Sequence, residues 1–235
     1  MNKIITLICL LSIAFAQINI ESQRSNDKNV GLNYALYTGN TELVIFGTSF
    51  RYSILKNNQK FLNLGDFNVV SGNIYQGMVH FRYNYNFENV TWEFYTQYQF
   101  DESSNLKQRL LYGSGWRSPF LKNVHIGISI MFEHELLNLP VNSMHSNKTE
   151  IYRGSNYITT NIERDWYALQ NTCYYQPYLN DIKDYRLLNE LVFTILSKNE
   201  TISIDNKLTY KYDSKPPDNI DDSDLILEIE LVKTF

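Results

Sequence analysis

From about residue 30 to the end of the chain, apolar and polar side chains alternate one by one, in runs near ten residues long. That period constrains the fold more than any other feature. Successive side chains of a strand point to opposite faces, so strict alternation describes strands whose two faces meet different surroundings. In the run from Glu42 to Leu55, Val44, Phe46, Phe50, Tyr52 and Ile54 share one face, and Gly47, Ser49, Arg51 and Ser53 share the other. Between Ile74 and Asn86, Val79, Phe81, Tyr83 and Tyr85 oppose Gln76, His80, Arg82 and Asn84. The same division recurs in residues 91–100, 124–133, 201–213 and 224–235, and helical periodicity is hard to find anywhere. About ten residues is the length a tilted strand needs to cross the hydrocarbon layer of a membrane.

The runs predict about twelve strands, near 30–38, 42–55, 60–70, 74–86, 91–100, 106–117, 124–134, 156–164, 168–178, 185–197, 201–213 and 224–235. An even count puts both termini on one side, as in outer-membrane barrels, where turns are short on the periplasmic side and loops longer outside. With both termini periplasmic, the turns are Lys56 to Gln59, Phe87 to Val90, Ser118 to Asn123, Asp165 to Tyr167 and Lys198 to Glu200. The outer connections then include Glu135 to Ser155, Leu179 to Asp184 and Ser214 to Ser223. The expected fold class is an all-β, transmembrane, antiparallel up-and-down β-barrel.

Export is the second expectation. Lys3 precedes an apolar run from Ile4 to Phe15 that ends in Ala14-Phe15-Ala16, the pattern of a cleaved secretory signal peptide over residues 1–16. A short periplasmic segment, 17–29, would then precede a barrel spanning 30–235. Cleavage removes Lys3 and Cys9, leaving 20 basic and 25 acidic residues and a net charge of about −5. This balance offers nothing to nucleic acid. Cys173 alone remains, which excludes an internal disulfide and a cysteine-rich metal site.

A secreted soluble sandwich or small ligand-binding barrel also alternates. The chain nevertheless holds 18 Tyr, 13 Phe and 3 Trp while its mean hydropathy is −0.34. Polar faces bearing charges of both signs, with aromatic rings near strand ends, favour lipid outside and water inside.

Four stretches carry a family resemblance. The first is Gly39-Asn40-Thr41, after the first strand, and the second runs from Arg109 to Gly115, Arg-Leu-Leu-Tyr-Gly-Ser-Gly. The third is Gln176-Pro177 followed by Asp184-Tyr185-Arg186. In the fourth, Tyr212-Asp213-Ser214-Lys215-Pro216-Pro217 leads to Asp224 and a final strand closing on Phe235. The chain resembles the family catalogued as domain of unknown function 481, described as salt-induced outer-membrane proteins. It departs from that family in having Trp116 and Arg117 after Gly115, and in a polar loop from Asn138 to Ser155. The resemblance implies an integral outer-membrane barrel and supplies no biochemical activity. Phe235, an aromatic residue closing an alternating strand, resembles the signal read by the barrel-assembly machinery. Lys233 shares its face, which suits an interface where the ammonium reaches headgroups.

No constellation specifies catalysis, cofactor or metal, and the chain is read as a non-enzyme. His80 and His125 fall on the interior face with Glu93 and Glu133, without a short ligand spacing. His134 and His145 fall at a strand end and in a loop, with no serine tied to them. Asp218, Asp221, Asp222 and Asp224 do not have the spacing of an ordered calcium loop. By strand parity the lumen holds Arg51, Arg82, Lys107, Arg109, Arg117, Arg186, Lys207 and Lys211, together with Glu93, Glu133, Glu190, Asp205, Glu228 and Glu230. Two functions follow. Charges that interlock give a closed or very narrow barrel, a structural or interaction module presenting its outer loops, and this reading is preferred because long Arg and Lys side chains fill space. Charges that line water give a narrow pore for small polar solutes or ions. The expected partners are outer-membrane lipid and, during biogenesis, the assembly machinery.

Overall fold

The computed structural model describes residues 28–38, 43–70, 73–218 and 220–235. The expected signal peptide, and segment 17–29 apart from its last two residues, lie outside them. Twelve strands follow in chain order: β1 (Lys28–Thr38), β2 (Leu43–Lys56), β3 (Gln59–Val70), β4 (Asn73–Asn86), β5 (Thr91–Asp101), β6 (Leu106–Leu121), β7 (Val124–Leu137), β8 (Lys148–Glu163), β9 (Tyr167–Tyr178), β10 (Asp181–Leu196), β11 (Ile202–Asp213) and β12 (Ser223–Thr234). Each pairs antiparallel with its chain neighbours, and β1 pairs with β12, so the sheet closes on itself. The seam runs from Asn29 opposite Thr234 to Thr38 opposite Leu225, and the Phe235 N–H donates to the Lys28 carbonyl at 2.9 Å. Closure removes the exposed edges that an open sheet of this length would leave.

The alternation sorts side chains as membrane and lumen would require. Leu32 and Phe46 point outward, 65% and 66% exposed, whereas Arg82 and Glu93 point inward at 2% and 1%. A protein that exposes its leucines and buries its arginines has water-adapted residues inside and an outer wall suited to lipid. The start of β1 and the end of β12 lie on one rim, called here the terminal rim, and the opposite end is the loop rim. Aromatic pairs gather toward the terminal rim: Trp92 with Trp116 at 6.0 Å, Trp166 with Tyr167 at 4.5 Å and Tyr85 with Phe87 at 4.9 Å between ring centroids. Two outward lysines there turn over rings, Lys28 over Tyr52 at 5.6 Å and Lys233 over Phe235 at 6.0 Å. Rings and snorkelling ammonium groups at one height mark the headgroup level.

Three expected boundaries are corrected. β7 runs on to Leu137 and β8 begins at Lys148, eight residues before the expected 156, so the connection placed at Glu135 to Ser155 shrinks to residues 138–147. Alternation does continue through this stretch, with Arg153, Ser155 and Tyr157 buried and Tyr152 and Ile158 exposed, but glycine and polar residues carry it. β9 and β10 meet across residues 179–180, where a loop was expected to Asp184, and a bulge between Asp181 and Tyr185 absorbs the difference. β6 likewise extends to Leu121, shortening the turn expected from Ser118. Long connections therefore number two among the described residues, 138–147 and 214–222. The β2–β3 turn is two residues, with Asn57 at φ 54°, a left-handed backbone that asparagine tolerates.

Candidate functional site

The lumen is the site, and its two halves differ. On the β4–β9 side it is filled. Gly113 and Gly127 point inward, and a Cβ at either would run into the ring of Tyr95 or Tyr157 respectively. The missing side chains thus let two large rings lie across the barrel, with Met131, Leu111 and Tyr174 packed among them. Charge is buried along with the rings. Glu93 lies 3.3 Å from Arg82 and 3.6 Å from Arg117, and it accepts a hydrogen bond from the Tyr157 hydroxyl at 2.7 Å. Arg82 also sits over the Tyr95 ring at 5.2 Å. Two guanidiniums for one carboxylate, completed by a hydroxyl, keep that carboxylate partnered where water is excluded.

Toward the loop rim, three arginines and four carboxylates interlock. Glu133 lies 3.2 Å from Arg153 Nε and 2.8 Å from Arg186 Nη1. Glu135 accepts from Arg109 Nε at 2.7 Å and lies 3.2 Å from Arg186 Nη2. Asp184 holds Arg153 at 2.8 Å, and Asp213 holds Arg186 Nε at 2.7 Å. Charge-assisted, fork-shaped contacts of this kind fix geometry as well as supply energy. Three of the four stretches that carry the family resemblance converge here, since Arg109, Asp184, Arg186 and Asp213 belong to them; Gly39-Asn40-Thr41 lies outside the described residues.

The Tyr212–Pro217 loop then folds over the lumen's mouth. Ser214 Oγ accepts from the Tyr185 N–H at 2.7 Å and donates to the Lys183 carbonyl at 3.0 Å. Lys215 pairs with Asp181 at 2.6 Å, which raises its pKa above the ordinary lysine value. Beyond it, Asp218 ties this loop to residues 138–147, accepting from Ser143 Oγ at 2.8 Å and the Met144 N–H at 2.7 Å. Those hydrogen bonds, the Ser143 hydroxyl first, hold the Asp218 carboxyl below the usual carboxylate range.

The rest of the lumen is open. A cavity of about 850 Å³ is lined along its length by β10–β12 and β1–β3 and also touches β4–β9, at Gln76, Gln97, Leu111 and Gln170 among others. Its wall runs from Asn29, Glu163, Glu200 and Thr234 at the terminal rim to Asp101, Leu137, Asp213 and Asp224 at the loop rim. None of His80, Arg82, Glu93, Tyr95, Tyr157 or Tyr174 touches it.

The expected lumen residues distribute among these regions. Arg82, Arg117 and Glu93 lie in the filled half, and Arg109, Arg186 and Glu133 lie in the arginine knot. Arg51, Glu190, Asp205, Lys207, Lys211, Glu228 and Glu230 line the cavity. Lys107 does not join them. A bulge between Leu106 and Gln108 reverses the parity at the start of β6, so Leu106 turns inward and Lys107 is exposed. Reading the sequence missed Glu135 and Arg153, both buried in the knot, because they fell inside the segment assigned to a loop. It also passed over Asp66 and Asp213, whose strand parity would have found them, and over Asp101 and Asp184, which fell in residues assigned to connections. Trp116 and Arg117, the departure from the family, serve both faces, one ring outward against Trp92 and one guanidinium inward toward Glu93.

The histidines are dispersed. His80 is buried against Gln97 at 3.0 Å and Arg82 Nε at 3.4 Å, His125 belongs to the inward parity of β7, and His134 pairs with Glu150 at 3.0 Å. His145 sits in the loop, its Nδ1 3.0 Å from the Ser146 carbonyl oxygen. Among the described residues no three His, Cys, Asp or Glu side chains gather as a metal site.

Residues 30–235 match the family described as "Protein of unknown function, DUF481". The chain belongs to the DUF481 family. No curated protein matches it by sequence. Among solved structures, this DUF481 barrel is similar to the NanC porin, at 16% identity and TM-score 0.52, covering 88% of this chain and 99% of that one. The KdgM porin follows at 8% identity and TM-score 0.48, with coverage of 88% and 99%. A bacterial polysaccharide outer membrane secretin gives 8%, TM-score 0.47, and coverage of 92% and 100%. At such identities the likeness concerns the fold, a barrel of the outer-membrane porin kind.

Proposed function

We propose that the protein is a narrow, water-filled pore of the bacterial outer membrane, with both termini on the periplasmic side, passing small polar solutes or ions. The observation that carries this reading is the 850 Å³ cavity whose charge-bearing wall reaches both rims. A barrel interlocked throughout would leave no such passage, so the cavity favours the pore over the closed module. The exposed apolar belt, the aromatic rim and the porin-like fold support the membrane location. Residence there rests on export by the expected signal peptide.

Single-channel recording of the purified, refolded protein in a planar bilayer tests it. The pore reading expects steady unitary current that changes when Arg109, on the cavity wall, becomes glutamine. Silence from protein shown to be folded, by a heat-dependent shift on an electrophoresis gel, would overturn it and leave the closed barrel.

A further inference from the structure

The cavity wall is not neutral. Among the described residues that line it, fourteen are Asp or Glu and six are Arg or Lys. Part of this excess is internally matched, because Glu133, Glu135 and Asp213 belong to the arginine knot. The rest follows the passage along its length. At the loop rim stand Asp101, Asp221, Asp222 and Asp224, with Lys211 3.8 Å from Asp101. At the terminal rim stand Glu163 and Glu200, with Arg164.

Between the rims the imbalance is sharpest. Asp66 on β3, Glu190 on β10, Asp205 on β11 and Glu228 and Glu230 on β12 share the wall with two cations, Arg51 and Lys207. Lys207 is committed to Glu228 at 2.7 Å. Asp205 and Glu230 stand directly opposite each other across the β11–β12 ladder, both inward. Like charges so placed repel and destabilise a sheet, unless something positive stands between or beside them.

A second observation, independent of the carboxylates, points the same way. Asn33 and Asn68 are 4% and 2% exposed, and their side-chain carbonyl oxygens have no donor. Their amide nitrogens are already engaged, Asn33 with Asp66 at 3.3 Å and Asn68 with Gln76 at 3.0 Å. Both oxygens converge over Gly47, where a Cβ would collide with each. One Asp205 carboxylate oxygen is likewise buried without a donor. This stretch therefore presents oxygen acceptors in excess of donors, which is the inverse of what an anion needs. Carboxylates set in a narrow wall of low dielectric focus a negative potential along the passage, and acidic rings are how cation channels choose their ions.

We infer that the pore selects small hydrated cations over anions, and that the stretch around Asp66, Asp205, Glu228 and Glu230 does the selecting. The inference rests on the pore reading above and names the class of ion that reading leaves open.

The test is the zero-current potential of the refolded full chain in a planar bilayer, with KCl more concentrated on one side. The expected sign is that of K⁺ selectivity, with K⁺ several-fold more permeant than Cl⁻. The double substitution Asp205→Asn with Glu230→Gln is expected to bring that ratio toward unity. Because a charge variant can fail to fold, each sample is first checked for the heat-dependent gel shift. The wild-type protein is also measured with KCl against tetramethylammonium chloride at equal concentration, which needs no variant; a cation-selective pore gives a zero-current potential there, and an anion-selective pore gives none. Current without selectivity, or with anion preference, overturns the inference and leaves the pore standing. A cation preference that survives the double substitution in folded protein overturns the placement at Asp205 and Glu230. No current from folded barrels overturns the pore reading and this inference together.

Discussion

Glu93 and Glu230 are both inward-facing glutamates of the same lumen, and their surroundings differ in kind. Glu93 is 1% exposed, with Arg82, Arg117 and the Tyr157 hydroxyl within reach. Glu230 faces Asp205 across the ladder and takes a hydrogen bond from Ser49 Oγ, on the wall of an open passage. The lesson is that inward direction does not decide whether a charge fills a barrel or lines it. The decision comes from glycines. Gly113 and Gly127 admit the Tyr95 and Tyr157 rings, which exclude water from the β4–β9 half, and every charge beside those rings must then be matched. On the other half the Tyr37 ring reaches to Gln76, its hydroxyl donating at 2.5 Å, but leaves the cavity open, so water can solvate the carboxylates and an excess of them is tolerated.

That contrast can be broken by substitution. The largest effect is expected at Glu133. Glu133→Gln leaves Arg153 and Arg186 short of a buried counter-charge, which costs about 3–5 kcal/mol for a buried pair so broken. Denaturant unfolding in detergent or vesicles would read it as a lower midpoint, and an unchanged midpoint would mean that the knot does not hold the barrel together. Gly127→Ala comes next. The added methyl meets the Tyr157 ring, and overpacking of this kind costs about 1–3 kcal/mol. Gly154→Ala is the control, since its Cβ would come no nearer than 3.3 Å to any neighbour, and it is expected to cost much less. Equal losses at the two glycines would remove the reason given for the filled half.

Asp205→Asn is expected to act in the opposite direction. It relieves the repulsion from Glu230, so unfolding should shift toward higher denaturant by about 0.2–1 kcal/mol. A clear loss of stability would mean that the attraction of Arg51, on the same wall, outweighs that repulsion. The smallest effect is local. Asp218→Asn weakens the tie between the two long loops, which limited proteolysis would detect as faster cutting within residues 138–147 and 214–222, with the barrel midpoint unmoved. The pH dependence of that tie follows from the lowered pKa of Asp218. Such a group contributes at neutral pH, and its contribution is lost only as pH falls through a value below the usual carboxylate range. Loop cutting should therefore stay slow in mild acid and accelerate only in stronger acid. Acceleration already near neutral pH would contradict the tie.

Alternation made the barrel legible in the sequence, because the pairs Phe46 and Gly47 or Phe81 and Arg82 declare two faces without reference to anything distant. It also placed most of the inward charges. It failed where the period is locally broken or carried by unmarked residues. At Lys107 the bulge reverses parity, and at Arg153 the outward partners are a tyrosine and a glycine, so a membrane strand read as a polar loop. The division of the lumen was not legible at all. Which ring lies over which glycine, Tyr157 over Gly127 or Tyr95 over Gly113, is settled by contacts across different strands, and no local window of sequence holds both members.

The account rests on that division, and thiol accessibility tests it most directly. With Cys173 replaced by serine, Ser203→Cys on the cavity wall of β11 and Ser129→Cys in the filled half of β7 would each be exposed to a small charged thiol reagent in proteoliposomes. The account predicts fast modification at residue 203 and none at residue 129 while the barrel stays folded. Equal reaction at the two positions, or reaction at residue 129 alone, would contradict it.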